Sequence, residues 1–292
     1  MKKKTQQLHS QIANDMMYYI YQHIDTDINV DALATSFGIS KFHFHRLFKE
    51  QMGTNIYETI KSIRLQKASN LLITNQSSTI TEVANICGYS SQTSFIRAFK
   101  ERFEMTPKTW RKGGYKTYSD EILKSSKTAS LSKVNYAQLE PNIVKTAAMR
   151  AYYIRHKGYS AKIKQTWQKM MAWVYTNDIT EYEQIGIYHD NPIVTLLEDC
   201  FYIAAIKFKE DKKLENTSLS SFEIPAGIYA TFDVEGKYGD ILKLIQWAYH
   251  EWLPESGFET TTAPSYTVFL KNHFLEEDKQ FKVRYFLPVR YA

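Results

Sequence analysis

In the first third of the chain apolar residues recur at three- and four-residue intervals, and glycine breaks the pattern at two matching places. Ile12, Met16, Tyr19, Ile20, His23 and Ile24 predict a first helix over 9–24 with one face turned inward. The next unit occurs twice. NVDALATSFGISKFHFHRLFKE (29–50) aligns with TITEVANICGYSSQTSFIRAFKE (79–101) at an offset of 50 through Ala34/Ala84, Gly38/Gly88 and Ser40/Ser90. After one inserted residue the offset is 51, through Phe44/Phe95, Arg46/Arg97 and Phe48/Phe99. Each copy reads as a helix, a glycine turn and a second helix. Asn29 caps the first copy, and Thr79 with Glu82 has capping-box spacing in the second. The small Ala34 and Ala84 allow close helix approach, and Gly38 and Gly88 permit a positive φ. This is the helix-turn-helix build, whose second helix enters a DNA major groove. Between the copies ETIKSIRLQKASNLLI (58–73) lacks Gly and Pro and predicts a strut of about 24 Å.

The pattern changes after the second copy. Residues 109–133 lose helical periodicity and become rich in Gly, Ser, Thr and Lys, the composition of a tether. Beyond them IVKTAAMRAYYIRH, TLLEDCFYIAAIKF, FEIPAGIYATFDVEG, YTVFLKN and FKVRYFLPVR have the β-branched and aromatic content of strands. A second repeat relates HKGYSAKIKQTWQKMMAWV (156–174) to EGKYGDILKLIQWAYHEWL (235–253). The predicted fold is multi-domain. An all-α tandem helix-turn-helix domain over 8–114 and a linker over 115–133 precede an α+β domain over 134–292, built of pseudo-twofold repeated sheet and helix units. Two antiparallel sheets or sheet halves, each with a helix, leave a groove along their seam.

Composition and charge refine this picture. At 292 residues and 43% hydrophobic content the chain is long and apolar enough for two cores. Residues 1–118 hold 16 Lys and Arg against 9 Asp and Glu, and the remainder holds 21 against 22. A basic segment joined to a near-neutral one points to a polyanion for the first and a different partner for the second. The start MKKKTQQLHSQ is basic without an apolar run behind it, and 18 uninterrupted apolar residues occur nowhere, so a soluble, cytoplasmic protein with no membrane partner is expected. The two cysteines, Cys87 and Cys200, are too few for a disulfide framework or a thiolate cage. No cofactor, no metal and no catalytic residue is expected.

On the helix from Lys41, Phe44, Leu47 and Phe48 share the inner face, and Phe42, His43, His45, Arg46 and Lys49 are then displayed outward. His43 and His45, two apart, diverge around a helix and do not readily chelate one ion; a satisfied or solvated histidine is the plainer reading of either. In the second copy Phe95, Ala98 and Phe99 point in, and Gln92, Thr93, Ile96, Arg97 and Lys100 out. Arg46 and Arg97 stand at matching positions, donor forks for guanine; Gln92 suits adenine, Phe42 a thymine methyl, and Ser40 and Ser91 sit where helix starts meet phosphate. The candidate partner is double-stranded DNA. In the second domain Trp167, Trp173, Trp247, Trp252 and Tyr159 or Tyr238 can wall the groove, although aromatic stripes at helical spacing more often form core.

Ala34, Gly38, Ser40, Phe44, Arg46, Phe48, Lys49 and Gly53, then Arg64, Ala68, Leu71 and Leu72, then Ala84, Gly88, Phe95, Arg97, Phe99, Lys100, Thr106 and Pro107 carry a resemblance. With their spacings they resemble the AraC/XylS family of transcriptional regulators, most closely the MarA, SoxS and Rob group. The resemblance implies that Phe42, Arg46, Gln92 and Arg97 read bases, and that RNA polymerase is a further partner. Glu104, where glycine is commoner, and Thr59, where an aromatic is usual, depart from the pattern. The second domain resembles the GyrI-like small-molecule-binding domain, carried by Arg155–Tyr159, Trp167, His189–Pro192, Ile224–Tyr229, Gly236, Tyr238, Trp252–Pro254, Ser256, Gly257, Pro264 and Leu287–Val289. The order of the two domains is Rob-like. This resemblance implies an effector site with Tyr159, Trp167, Trp247, Thr267 and Phe269, in a family that often takes lipophilic cations. In its pattern Pro-x-x-Glu-x-Tyr-Leu the glutamate corresponds to Thr267 of PSYTVFL. Threonine offers a hydroxyl only, so a neutral or weakly polar ligand, or a lost ligand site, is expected.

Two alternatives remain at this point. Some GyrI-like proteins hydrolyse small electrophiles with the glutamate that Thr267 replaces, which leaves His189 and Asp190 as weak substitutes in a polar turn before Pro192. An architectural DNA-binding protein with a structural second domain is the other.

Overall fold

The computed structural model describes residues 2–209, 217 and 219–291, and the chain divides into two units, Met1–Lys112 with Asn216–Phe222 and Gly113–Glu215 with Glu223–Ala292. In the first unit α1 (Lys2–Gln22) is followed by α2 (Val30–Ser36), α3 (Lys41–Met52), α4 (Ile56–Thr74), α5 (Ile80–Ile86), α6 (Gln92–Phe103) and the short α7 (Pro107–Thr109). The repeat is written in the element boundaries. The start of α5 lies 50 residues after that of α2, and the start of α6 lies 51 after that of α3, so the inserted residue falls in the turn before the Ser91 cap.

Local chemistry accounts for these boundaries. The Asn29 side chain accepts from the Asp31 and Ala32 N–H groups, both at 3.0 Å, and Thr79 and Glu82 close a reciprocal capping box. Gly38 and Gly88 hold φ of 67° and 73°, a left-handed backbone that costs other residues about 1–2 kcal/mol. Gly88 carries a second demand: a Cβ there would stand 2.8 Å from both Arg64 Nη2 and the Ile24 carbonyl oxygen, whereas Gly38 faces open space.

α4, 19 residues and about 28 Å long, is the strut. Arg64 at its middle donates Nε to Ile24 O (3.1 Å) and Nη2 to Thr26 O (2.6 Å), which ties the chain before α2 to α4. Burial lowers the pKa of this guanidinium from its ordinary value. Arg102 of α6 donates to Ser62 Oγ at 3.0 Å, and the buried Trp110 donates Nε1 to Ser69 O at 2.9 Å. α4 is thereby bonded to the segment that leads into the first copy and to α6 of the second.

The second unit opens with a difference from expectation. The segment read as an irregular tether carries α8 (Tyr115–Lys124) and α9 (Lys127–Leu131), with Ser119, Ile122, Leu123 and Ala129 buried. They pack beside α11 (Asp240–Trp247): Gln246 donates to Asp120 Oδ1 at 2.7 Å, and Ser132 donates to Asp240 Oδ1 at 2.6 Å. Three apolar side chains spaced among Ser, Thr and Lys are too sparse a stripe to read as a buried face; α11 supplies the surface that buries them.

Among the described residues nine strands make one sheet: β1 (Asn142–Thr146), β2 (Met149–Lys157), β3 (Tyr182–Tyr188), β4 (Phe201–Phe208), β5 (Ser220–Ile224), β6 (Gly227–Lys237), β7 (Phe258–Thr260), β8 (Ser265–Lys271) and β9 (Gln280–Tyr291). Their order is β1-β6-β9-β8-β3-β4-β2-β5, with β7 on β9. The pseudo-twofold axis runs between β3 and β8, and each half lends its first strand to the far edge of the other. The sheet halves expected from sequence are thus joined into one sheet. β3, with the sequence YEQIGIY, is central yet lies outside the expected strands, because two polar residues and a glycine dilute its β signal. α10 (Ile163–Thr176) packs on β2 and β4, and α11 on β6.

Candidate nucleic-acid interface and ligand seam

α3 begins at Ser40, whose Oγ accepts the His43 N–H at 3.3 Å, and buries Phe44, Leu47 and Phe48. On its outer side Phe42 is 79% exposed, and Arg46 and Lys49 are exposed. Arg46 Nε lies 3.8 Å from Glu50 Oε1, one helical turn on, a contact loose enough to yield to another acceptor. Lys41 Nζ pairs with Asp31 of α2 at 2.8 Å, and that partner raises its pKa. The two histidines differ from expectation. Both are half-buried, His43 edge-on to His9 (5.8 Å) and His45 against Tyr57 (5.5 Å), because a flat ring lying beside a neighbouring helix is drawn onto its aromatic groups.

α6 repeats the arrangement. Ser91 Oγ accepts the Ser94 N–H at 3.2 Å, Phe95, Ala98 and Phe99 are buried, and Gln92, Thr93, Arg97 and Lys100 are exposed, with Ile96 between the two classes. Arg46 and Arg97 therefore stand on the open faces of equivalent helices. Tyr57 and Lys61 on α4, which sequence reasoning passed over, border the same surface: Tyr57 is 53% exposed, and Lys61 Nζ reaches Glu101 Oε2 of α6 at 2.9 Å.

In the second unit the β3–β8 pairing sets Gly186 opposite Thr267 and Tyr188 opposite Ser265. Thr267 is fully buried, and its Oγ1 donates to Gly186 O at 3.2 Å. Only glycine fits at 186, since a Cβ there would stand 2.3 Å from the Tyr202 hydroxyl. Trp167 is buried, donates Nε1 to Tyr202 OH at 3.1 Å and meets Phe269 edge-on at 5.5 Å. Tyr159 lies 5.9 Å from both Tyr188 and Tyr202 and runs parallel to Tyr238 at 6.4 Å. Burial pushes the phenols of Tyr159, Tyr188 and Tyr202 well above their ordinary value, and that of Tyr238 up to about 12. Among the described residues the ionisable groups acting on the first three of these phenols are other tyrosines, with no carboxylate among them.

His273, unremarked in the sequence, joins the seam through Phe269, Phe274 and Tyr238; its ring is buried, neither nitrogen finds a hydrogen-bond partner, and burial pushes its pKa down to about 3. Four of the five expected effector residues, Tyr159, Trp167, Thr267 and Phe269, meet at the seam. Trp247 does not: it is half-buried against Phe232 (5.7 Å) and Tyr136 (6.1 Å) in the other half, because α11 is rotated to cover β6. Asp190 Oδ2 accepts the Phe201 N–H at 2.9 Å, and Asn191 Oδ1 the Ile193 N–H at 3.2 Å, so the His189–Pro192 stretch is a hydrogen-bonded turn. Among the described residues no three His, Cys, Asp or Glu side chains are grouped to hold a metal ion, and no helix is long and apolar enough to cross a membrane.

The family described as a GyrI-like small molecule binding domain matches residues 139–290, and that described as a helix-turn-helix domain matches 33–113. The regulatory protein SoxS of Escherichia coli strain K12 is 33% identical over 103 residues, 35% of this chain and 95% of SoxS. The chain belongs to the AraC-type regulator family, with a GyrI-like domain. The probable transcription factor PqrA of Proteus vulgaris is 32% identical over 105 residues, 35% of this chain and 85% of PqrA. The xylose operon regulatory protein of Escherichia coli strain K12 is 38% identical over 95 residues, 32% of this chain, but the match spans only 24% of that protein's length. In this AraC-type chain the helix-turn-helix match ends at 113, where the second unit begins.

Proposed function

We propose that this protein is a sequence-specific transcription regulator that lays α3 and α6 in successive major grooves of double-stranded DNA, while the β3–β8 seam of the second unit binds a small molecule that modulates its activity. The observation that carries the reading is the exposure of Arg46 and Arg97 at equivalent positions of two helices that both meet one strut, α3 by packing and α6 through the Arg102–Ser62 bond. A guanidinium fork exposed on a groove-sized helix is the commonest guanine reader, and two of them on one chain need no palindromic site. Ser40, Lys41, Phe42, His43, His45 and Lys49 on α3, and Ser91, Gln92, Thr93 and Lys100 on α6, complete the proposed interface. The reader occupies 8–114 and the ligand domain 134–292, and the connection 115–133 folds onto the latter through α8 and α9. RNA polymerase belongs to this reading as the partner of an activator, the cytoplasm as its place, and no residue is assigned a catalytic role.

Selection of duplexes from a random library by the full chain tests the reading. The expected product is a double motif whose halves lie about 10 base pairs apart, one helical turn. Recovery of unrelated sequences with no enriched motif favours an architectural protein instead.

For the ligand domain the reading is an uncharged ligand held by Tyr159, Trp167, Thr267 and Phe269. A carboxylate offsets much of a cation's desolvation, and the polar groups named at the seam are instead phenols, the Trp167 N–H, a threonine hydroxyl already donating to Gly186, and a neutral imidazole. Calorimetric titration of the full chain with quaternary ammonium or rhodamine-type dyes should show no micromolar binding; tight binding of either would overturn it.

A further inference from the structure

A cleft of about 290 Å³ lies between α4 and α6, beside the base-reading Arg97, with Tyr57, Lys61 and Arg64 on one side and Ser94, Arg97 and Glu101 on the other. Its α4 side reaches the first recognition helix, because Tyr57 packs against His45 of α3. Its other side is the second recognition helix itself. The cleft therefore bridges the two elements that the regulator reading places in successive grooves. Three cationic side chains meet one carboxylate here. Lys61 bonds Glu101 and, with Arg97 adding, holds that carboxyl below its ordinary range. The Tyr89 hydroxyl also lines the cleft, buried and with no hydrogen-bond partner, and burial pushes its pKa up to about 12, so it remains a proton donor.

We infer that this cleft seats a backbone phosphate of the bound duplex, with Lys61 and the Tyr89 hydroxyl donating to the phosphate oxygens and Glu101 holding Lys61 in place until DNA arrives. The inference rests on the regulator reading. A duplex that presents two successive major grooves to α3 and α6 turns the intervening minor groove and its flanking phosphates toward α4. Phosphate accepts from lysine and tyrosine in this way and carries no sequence information. Lys61 is 34% exposed and already held by its partner, so its transfer from carboxylate to phosphate requires only a short swing of the side chain.

The test measures binding of the full chain to its selected duplex and to a scrambled one across a salt series. Lys61→Ala should weaken both duplexes by the same factor, roughly tenfold or less, and lower the slope of log K on log salt by about 0.9, one phosphate's worth. Glu101→Gln should tighten both, since it removes a negative charge beside the phosphate. An unchanged slope for Lys61→Ala overturns the inference, and so does a loss confined to the selected duplex, which would make Lys61 a base contact. Should Lys61→Ala unfold, Glu101→Gln decides, and unaltered or weakened binding by it overturns the inference equally. A wild-type chain that selects no motif sinks the regulator reading instead, so the two failures are distinguishable.

Discussion

Glu104 holds at the end of α6 the left-handed backbone that Gly53 holds at the end of α3: their φ angles are 56° and 74°, and each donates its N–H to the carbonyl of a lysine, Lys100 and Lys49. The second copy of the repeat therefore carries a strain that the first does not. Glu104→Gly should stabilise the protein by up to about 1 kcal/mol, the left-handed cost relieved less the backbone entropy that glycine adds to the unfolded chain. Thermal melting reads this directly, and a lower melting temperature would show that the Glu104 side chain contributes more than its backbone costs.

The two turn glycines are not equivalent. Gly38→Ala meets only backbone strain, about 1 kcal/mol, whereas Gly88→Ala also displaces the Arg64 guanidinium from the Ile24 and Thr26 carbonyls. Denaturant titration should show Gly88→Ala the more destabilised, by a further 1–3 kcal/mol or so. Equal losses would mean that Arg64 relaxes without cost.

Arg46→Ala and Arg97→Ala should each cost about 1–3 kcal/mol on the selected duplex and relax preference at one base pair, the two positions lying about one helical turn apart. Binding-site selection repeated with each variant checks this. Uniform loss on all sequences would instead place that arginine on phosphate.

His273 and His250 are both buried, and desolvation pushes the pKa of each down to about 3, with Lys116 adding to the effect at His250. The unfolded chain binds a proton at each near pH 6.5 and the folded chain does not, so ∂ΔG/∂pH is positive between those values. Their stability contribution is complete above about pH 6.5 and falls toward pH 3, by at most about 1.4 kcal/mol per pH unit for each histidine. His273→Phe should flatten the acid limb of unfolding free energy against pH. An unchanged limb would show that His273 is protonated in the folded protein.

The helix-turn-helix repeat was legible in the sequence nearly to its element boundaries, and the β3–β8 seam only in part. Asn29, Thr79, Gly38 and Gly88 act through hydrogen bonds and backbone angles within a few residues of themselves, so their roles follow from spacing. His45 shows where that stops: its place on the outer helix face was readable, but its lean against Tyr57 depends on a separate helix. At the seam Thr267 was singled out by its departure from a pattern, while its neighbour across the strands, Gly186, sits in a strand with too little β character to notice. Trp167 and Trp247 were alike in sequence and part company in the fold.

By itself the sequence determined the tandem helix-turn-helix, its strut, its caps, the outward arginines and the repeated make-up of the second domain, because periodicity and capping are local. The tertiary structure alone decided that the halves of the second domain exchange edge strands, that β3 and β8 form the seam, that α8 and α9 fold onto α11, and that Lys61 and Glu101 close a cleft beside Arg97. Those outcomes join side chains tens of residues apart in the chain, and which distant surfaces meet is set by how the packed elements share their buried faces, a quantity no single segment carries.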